Sequence, residues 1–148
     1  MEAALGALYL EFSRVFVSDG EAHALFSRLS QEEKSHLMLI QFEKRLMKQN
    51  PGLLGEVNLE PGAILEVCDR AEKARRHAGR MTLREAVELA LALEGSDAES
   101  YIRDLQGGGS PELVRLVKNL RAGDHAHHQA LLAFAQSRGF AKAGEKRG

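Results

Sequence analysis

The sequence predicts an all-α protein, a bundle of four long helices arranged as two helical hairpins. Apolar residues make up 44% of the chain and aromatic residues only 5%, with no tryptophan, which favours helices packed on helices. Apolar residues recur three, four and seven positions apart, the spacing of one helix face. Glycine and proline clusters separate the apolar segments. The predicted helices cover residues 1 to about 18, 21–48, 61–78, 83 to about 106, and 111–137.

The first hairpin occupies the N-terminal third of the chain. The apolar face of its first helix consists of Leu5, Leu8, Phe12, Val15 and Phe16. Asp19 and Gly20 interrupt this pattern, so the second helix is expected to begin near Glu21. It should stop at about Lys48, because Pro51 and its neighbours cannot continue a helix.

A crossover connection should link the two hairpins. Segment 53–60 is predicted to be a loop, and a shorter helix follows from Pro61 to about residue 78. A bundle joined only by short loops would not need residues 49–82. One long crossover is a known way to connect four helices in a bundle.

The second hairpin has clear helix-start signals. Thr82 and Glu85 form a capping-box pattern, so the third long helix should begin directly after the threonine. Three glycines, 107–109, are expected to end this helix. Ser110 can then cap the fourth long helix, and Pro111 suits its first position.

Composition narrows the class of protein. The 148 residues are expected to form one domain, 1–139, followed by a small basic tail, 140–148. The chain has 20 basic and 21 acidic residues, which favours neither nucleic acid nor a membrane surface as partner. The single cysteine, Cys68, excludes an internal disulfide and a four-cysteine metal site. With no apolar run of membrane-spanning length and no secretory signal pattern, we expect a cytoplasmic protein.

A polar signature occurs once in each half of the chain. The first copy consists of Glu2, Tyr9, Glu33 and His36, and the second consists of Glu94, Tyr101, Asp124 and His127. The tyrosine follows the first carboxylate by seven residues in both copies, and the histidine follows the second carboxylate by three. Four carboxylates and two histidines are the ligand set with which a helical bundle holds two metal ions.

The charged members of this signature lie on apolar helix faces. An unpaired buried carboxylate costs several kcal/mol, and four of them close together could not all ionise. Divalent cations would supply the opposite charge. Without metal, we expect the pKa values of the carboxylates to rise as a group. Oxygen and nitrogen donors without a thiolate suit two iron ions, with manganese or zinc as further candidates.

Helix geometry assigns roles to nearby residues. At about 1.5 Å per residue, each hairpin brings its signature residues to roughly the same level, whereas Glu11 would lie too close to the turn. Glu32 directly precedes Glu33, and we expect it to point elsewhere. Tyr9 and Tyr101 are either core aromatics or hydrogen-bond donors to ligand carboxylates in the catalytic site, and we favour the second role.

These residues resemble the ferritin-like di-iron carboxylate superfamily, and most closely the rubrerythrins. That family has a glutamate and a tyrosine seven residues apart on the first helix and Glu-x-x-His on the second, and it repeats this pattern on the third and fourth. The stretch 26–36 also looks like the family's second-helix signature. The resemblance spans residues 2 to about 137. It implies a di-iron site oxidised by hydrogen peroxide or dioxygen, in a homodimer or larger homo-oligomer.

The chain departs from the rubrerythrin pattern at three points. Asp124 stands where the family has glutamate, and Glu2 lies next to the start of the chain. A rubredoxin domain with four cysteines is missing, so a separate electron-donor protein would be needed. The expected function is peroxide reduction or oxidation of ferrous iron. The alternatives are an iron-buffering module and a structural ferritin-like bundle whose metal site has decayed.

Overall fold

A computed structural model of the protein describes residues 1–50, 62–95 and 111–140. Within these ranges the chain forms five α-helices and a short 3₁₀ turn, Ala78–Arg80, and no strand. The helices are α1 (Glu2–Val15), α2 (Gly20–Gln49), α3 (Gly62–His77), α4 (Leu83–Glu94) and α5 (Pro111–Ser137). The all-α class predicted from the sequence is therefore confirmed.

Several predicted features lie outside the described residues. They are the loop 53–60, the continuation of the third long helix through Tyr101, the glycine turn 107–109, the Ser110 cap, and the tail from residue 141. The helix boundaries within the described residues fall within about three positions of those predicted.

The turn between α1 and α2 covers residues 16–19 and begins earlier than the predicted break at Asp19 and Gly20. Helix α1 ends at Val15, and the N–H of Phe16 still donates to the carbonyl of Phe12 at 2.9 Å. The carboxylate of Asp19 then accepts from the N–H of Ala22 at 3.1 Å and caps α2. Gly20 is therefore the first residue of α2, because an aspartate cap satisfies one of the free N–H groups at a helix start.

The core contains aromatic side chains of α1 and α2 and includes residues from all five described helices. Tyr9, Phe12 and Phe26 are fully buried, and the rings of Phe12 and Phe26 lie 5.1 Å apart. Burial of each such side chain stabilises the fold by about 1.5–3 kcal/mol. Further buried apolar residues come from every described helix: Leu5, Leu8, Leu29, Val67, Ala71, Ala86, Val87, Ala90, Leu93, Leu131 and Ala135.

Helices α1 and α2 approach closely beside Glu33. A Cβ atom at Gly6 would lie 3.2 Å from the Cβ of Glu33, and the hydroxyl of Ser30 donates to the carbonyl of Gly6 at 2.8 Å. The glycine therefore permits a tight contact that covers the start of the Glu33 side chain. This contact helps to make Glu33 a buried residue, with 1% of its surface exposed.

Helix α4 begins with the predicted capping box. The N–H of Glu85 donates to the hydroxyl of Thr82 at 3.2 Å, and the N–H of Thr82 donates to the carboxylate of Glu85 at 2.8 Å. Helix α4 packs against α5, and α5 also packs against α2. Elements from both halves of the chain thus meet along α5.

The end of α5 is tied to the start of α2. Gly139 adopts a left-handed backbone, φ 68°, and the N–H of Phe140 donates to the carbonyl of Ala135 at 2.8 Å. This is the hydrogen-bond pattern in which glycine ends a helix. The Arg138 guanidinium then donates to both carboxylate oxygens of Asp19, at 2.7 and 2.8 Å.

Among the described helices, none is long and apolar enough to cross a membrane.

Candidate metal centre

Three helices bring five of the predicted ligands together. Helix α2 contributes Glu33 and His36, the last residue of α4 is Glu94, and α5 contributes Asp124 and His127. Their side chains form two groups, in each of which the nitrogen or carboxylate oxygen atoms lie within 4.8 Å of one another. The first group is Glu33, His36 and His127, and the second is Glu94, Asp124 and His127. Residues from both copies of the repeated signature therefore converge.

His127 lies at the centre of both groups. Its Nδ1 atom is 3.1 Å from Oε1 of Glu33 and 3.7 Å from Oε1 of Glu94, and 1% of its surface is exposed. Oε1 of Glu33 and Nδ1 of His127 are both buried, and neither has a hydrogen-bond partner among the described residues. Their short separation lacks hydrogen-bond geometry. Buried polar atoms without partners are rare, and two that converge suit the binding of a cation.

The other ring nitrogen of His127 contacts a residue that the sequence interpretation missed. Nε2 of His127 lies 3.0 Å from Oε2 of Glu32. The expectation that Glu32 points elsewhere is therefore wrong. Neighbouring residues on a helix differ by about 100° in direction, but the glutamate side chain is long enough to reach α5 from the edge of the α2 face. The available signal was the carboxylate immediately before Glu33, since metal-binding histidines commonly pair their other nitrogen with a carboxylate.

His36 packs directly against His127. The two imidazole rings are stacked, with centroids 5.2 Å apart and an angle of 23° between their planes. Nδ1 of His36 lies 3.8 Å from Oε2 of Glu33, is buried, and has no hydrogen-bond partner among the described residues. This nitrogen therefore faces the same carboxylate as His127 does, and it is the atom of His36 placed to bind an ion.

Tyr9 supports the carboxylate of Glu94 from the core side. Its hydroxyl donates to Oε1 of Glu94 at 2.5 Å, and both side chains are buried. This contact agrees with the role of hydrogen-bond donor that we favoured over a purely packing role. Tyr101, the corresponding residue of the second copy, lies outside the described residues.

Glu2 is not brought into either group. Its carboxylate lies 3.5 Å from the N-terminal amine of Met1. It lines an outer groove of about 240 Å³ between α1 and α2, together with Gly6 and Lys34. The structure therefore assembles five of the six predicted ligands, and the glutamate of α1 lies apart from them.

Comparison with protein-family models, curated proteins and solved structures finds no match to this chain. What the centre can do must therefore be inferred from its own residues.

The charged groups of the centre shift one another's pKa values. Burial, followed by the charges of Glu94 and Glu33, raises the pKa of Asp124 to about 7. Burial also acts to raise the pKa of Glu33, but His127 and His36 outweigh it and hold this pKa below its ordinary value. The expected rise of the carboxylate pKa values as a group thus holds for Asp124 and is wrong for Glu33. The sequence interpretation had not paired Glu33 with two histidines.

The two histidines offset part of the negative charge of the carboxylates. Burial lowers the pKa of His127, but Glu33 and Glu94 outweigh it and raise the pKa to about 10. Glu33 likewise raises the pKa of His36, against the opposing effect of burial. A histidine must be neutral to bind a metal, so an incoming divalent ion would displace these protons. The arrangement of three carboxylates around two histidines fits one or two divalent cations.

Proposed function

We propose that the protein is a di-metal carboxylate protein, holding iron or manganese, that reduces peroxide or oxidises ferrous iron. The observation that supports this most strongly is the pair of three-residue ligand groups that share His127. A surface cluster of acidic side chains would not place its donor atoms in the interior, whereas Glu33, Glu94 and His127 are all buried. The rubrerythrin-like spacing of the repeated signature adds to this proposal.

The donor atoms favour iron or manganese. Both groups offer carboxylate oxygens and imidazole nitrogens, and neither includes a cysteine. Such donors suit iron and manganese, and zinc would also bind. When bound, two ferrous ions supply one electron each, which with two protons reduces one hydrogen peroxide to two water molecules.

The chain's own residues would position and shield the reacting groups. Tyr9 donates to Glu94 and so orients that carboxylate. Glu32 contacts Nε2 of His127 and so leaves Nδ1 directed at the centre. The buried side chains of α1 and α4 exclude water from the core side. Regeneration of the reduced state requires an external electron donor, which we propose is a separate protein.

A second candidate is an iron-binding module without rapid turnover. The placement of Glu2 favours it, because the Glu33 group then lacks a carboxylate from α1. An ion held by fewer protein ligands binds more weakly. Such a protein would take up and release iron but would consume peroxide slowly.

Metal analysis combined with a rapid peroxide assay separates these functions. We expect the purified protein to hold up to two iron or manganese ions per chain, and the ferrous form to consume peroxide within the stopped-flow time range. His127→Ala should abolish both properties. His77→Ala is the matched control, because His77 lies on the exposed end of α3, where its ring forms a hydrogen bond with the carbonyl of Lys73 in its own helix. Metal uptake without peroxide consumption would favour the binding module, and no metal uptake would contradict both functions.

A further inference from the structure

The two copies of the polar signature differ at the residue before the second carboxylate. In the first copy this residue is Glu32, and in the second copy it is Gly123. Each position lies next to the histidine of the opposite copy: Glu32 next to His127, and Gly123 next to His36. The internal repeat therefore places the carboxylate of Glu32 beside His127, whereas the equivalent position beside His36 is a glycine.

Gly123 leaves a space that His36 fills. A Cβ atom at Gly123 would overlap with Cε1 and Nε2 of His36, and the three heavy atoms nearest to such a Cβ all belong to this ring. Gly123 lies in the middle of α5, where glycine weakens a helix relative to alanine. The contact with His36 supplies a steric reason for this glycine, since the nearest atoms are ring atoms and not the backbone of α2.

The two histidines are consequently held in different ways. His127 has Nε2 at 3.0 Å from Oε2 of Glu32, which fixes its ring and leaves Nδ1 for the centre. Among the described residues, the ion-pair contact of His36 is made by Nδ1 with Glu33 at 3.8 Å, and no carboxylate pairs with its Nε2. A carboxylate that orients a metal-binding histidine through its other nitrogen increases metal affinity by about 10–100-fold. In the described part of the chain, no carboxylate supports His36 in this way.

We propose that the two ion positions are unequal and that Gly123 determines the weaker one. The position formed by Glu94, Asp124 and His127 fills first. The position formed by Glu33 and His36, which shares His127 with the first, fills second, with an affinity about 10–100-fold lower, because His36 must be ordered when the ion binds. Gly123 makes this second position available by admitting the His36 ring, but it supplies no group to orient that ring. This inference rests on the proposed function, because it presupposes that the centre binds two ions.

Titration of the metal-free protein with Mn²⁺ tests the inequality without any measurement of activity. Isothermal titration calorimetry with elemental analysis should show two steps in the unmutated protein, separated by about 10–100-fold in affinity. Gly123→Ala should abolish the second step, because the added methyl group displaces the His36 ring, and should leave the first step within about twofold. His36→Ala should likewise remove only the second step.

The double variant tests whether Gly123 acts through His36. In a His36→Ala background the ring is gone, so Gly123→Ala should cause no further loss of Mn²⁺ binding. This variant also covers the case in which Gly123→Ala alone fails to fold, because removal of the ring removes the overlap. Gly62→Ala is the matched control, since a Cβ atom there would meet no other atom within 4 Å, and both steps should be unchanged.

The possible failures are distinguishable. Two equal steps in the unmutated protein, or an equal weakening of both steps by Gly123→Ala, would overturn this inference and leave the proposed function standing. A further loss in the His36→Ala background would also overturn it, because Gly123 would then act through α5 itself. No Mn²⁺ or Fe²⁺ binding by the unmutated protein would overturn the proposed function and this inference together.

Discussion

The hydroxyl of Tyr9 donates a hydrogen bond of 2.5 Å to the carboxylate of Glu94, across 85 positions of the chain. Tyr9 belongs to the first copy of the polar signature and Glu94 to the second. The bond therefore joins the two halves of the protein at the centre. Burial, and then the charge of Glu94, raises the pKa of Tyr9 well above its ordinary value, so the hydroxyl remains a donor throughout the neutral range.

Tyr9→Phe should destabilise the metal-free protein by about 1.5–3 kcal/mol, the usual contribution of a hydrogen bond to a charged group. The reason is that Glu94 stays buried while it loses its donor. Urea unfolding gives the change in the free energy of unfolding. In a Glu94→Ala background the same substitution should cost much less, because the acceptor is absent. An equal cost in both backgrounds would show that Tyr9 acts by packing alone.

The metal-free protein should lose stability as the pH rises from about 4 to about 7. Asp124 has a pKa of about 7 in the folded protein, against 3.8 for an ordinary aspartate. The folded protein thus holds a proton that the unfolded chain has released, and the resulting stabilisation is fully present below the ordinary value and lost as the pH passes about 7. The pKa of His36 is also raised, and it acts in the same direction.

Asp124→Asn isolates the contribution of this carboxyl group. The amide carries no charge at any pH, so the free energy of unfolding should fall less between about pH 4 and pH 7 than in the unmutated protein. The measurement is a series of urea unfolding curves in the presence of a chelator. Identical pH profiles for the two proteins would contradict the assignment of the raised pKa to Asp124.

The contact between Asp19 and Arg138 should stabilise the protein at neutral pH and weaken in acid. The Arg138 guanidinium, followed by the N–H of Ala22, lowers the pKa of Asp19 below its ordinary value. A lowered carboxyl pKa gives a stabilisation that is present above the unfolded pKa and is lost as the pH falls through the folded pKa.

Thermal unfolding at pH 7 should rank the unmutated protein first, Asp19→Asn second and Asp19→Ala last. Asparagine keeps the helix cap but loses the ion pair, and alanine loses both. Equal melting temperatures for the two variants would contradict the capping role.

Much of the centre could be predicted from the sequence because its charges interrupt an apolar pattern. Glu33 follows Phe26 and Leu29 on one face of α2, and all three are buried. The same logic identified His36, Glu94 and His127. Helix periodicity gives the direction in which each side chain leaves its own helix axis. Residues three or four positions apart share a face, and this does not depend on how the neighbouring helix is placed.

The features that were missed depend on how one helix is placed against another. Glu32 contacts His127 because α5 lies beside the edge of the α2 face, and periodicity within α2 contains no information about that placement. The role of Gly123 has the same origin, since glycine leaves no side chain whose direction could be predicted. Glu2 fits the spacing of the repeat, but at the first residue of α1 its carboxylate contacts the N-terminal amine instead. Its assignment as a ligand stays a prediction.

Glu32→Ala should weaken metal binding by about 10–100-fold, the usual effect of removing a carboxylate behind a metal-binding histidine. Glu32 is 44% exposed, so the loss of its charge alone should have little effect, and the main effect should be the freed orientation of His127. Glu32→Gln should weaken binding less, because its carbonyl oxygen can still accept a hydrogen bond from Nε2.

Glu43→Ala, further along the same helix, is the matched control for the loss of one negative charge. Nitrogen NMR of His127 in the metal-free protein gives a second measurement, since removal of Glu32 should change the distribution of its ring protons. Unchanged spectra together with unchanged Mn²⁺ affinity in Glu32→Ala would show that the 3.0 Å contact does not orient His127.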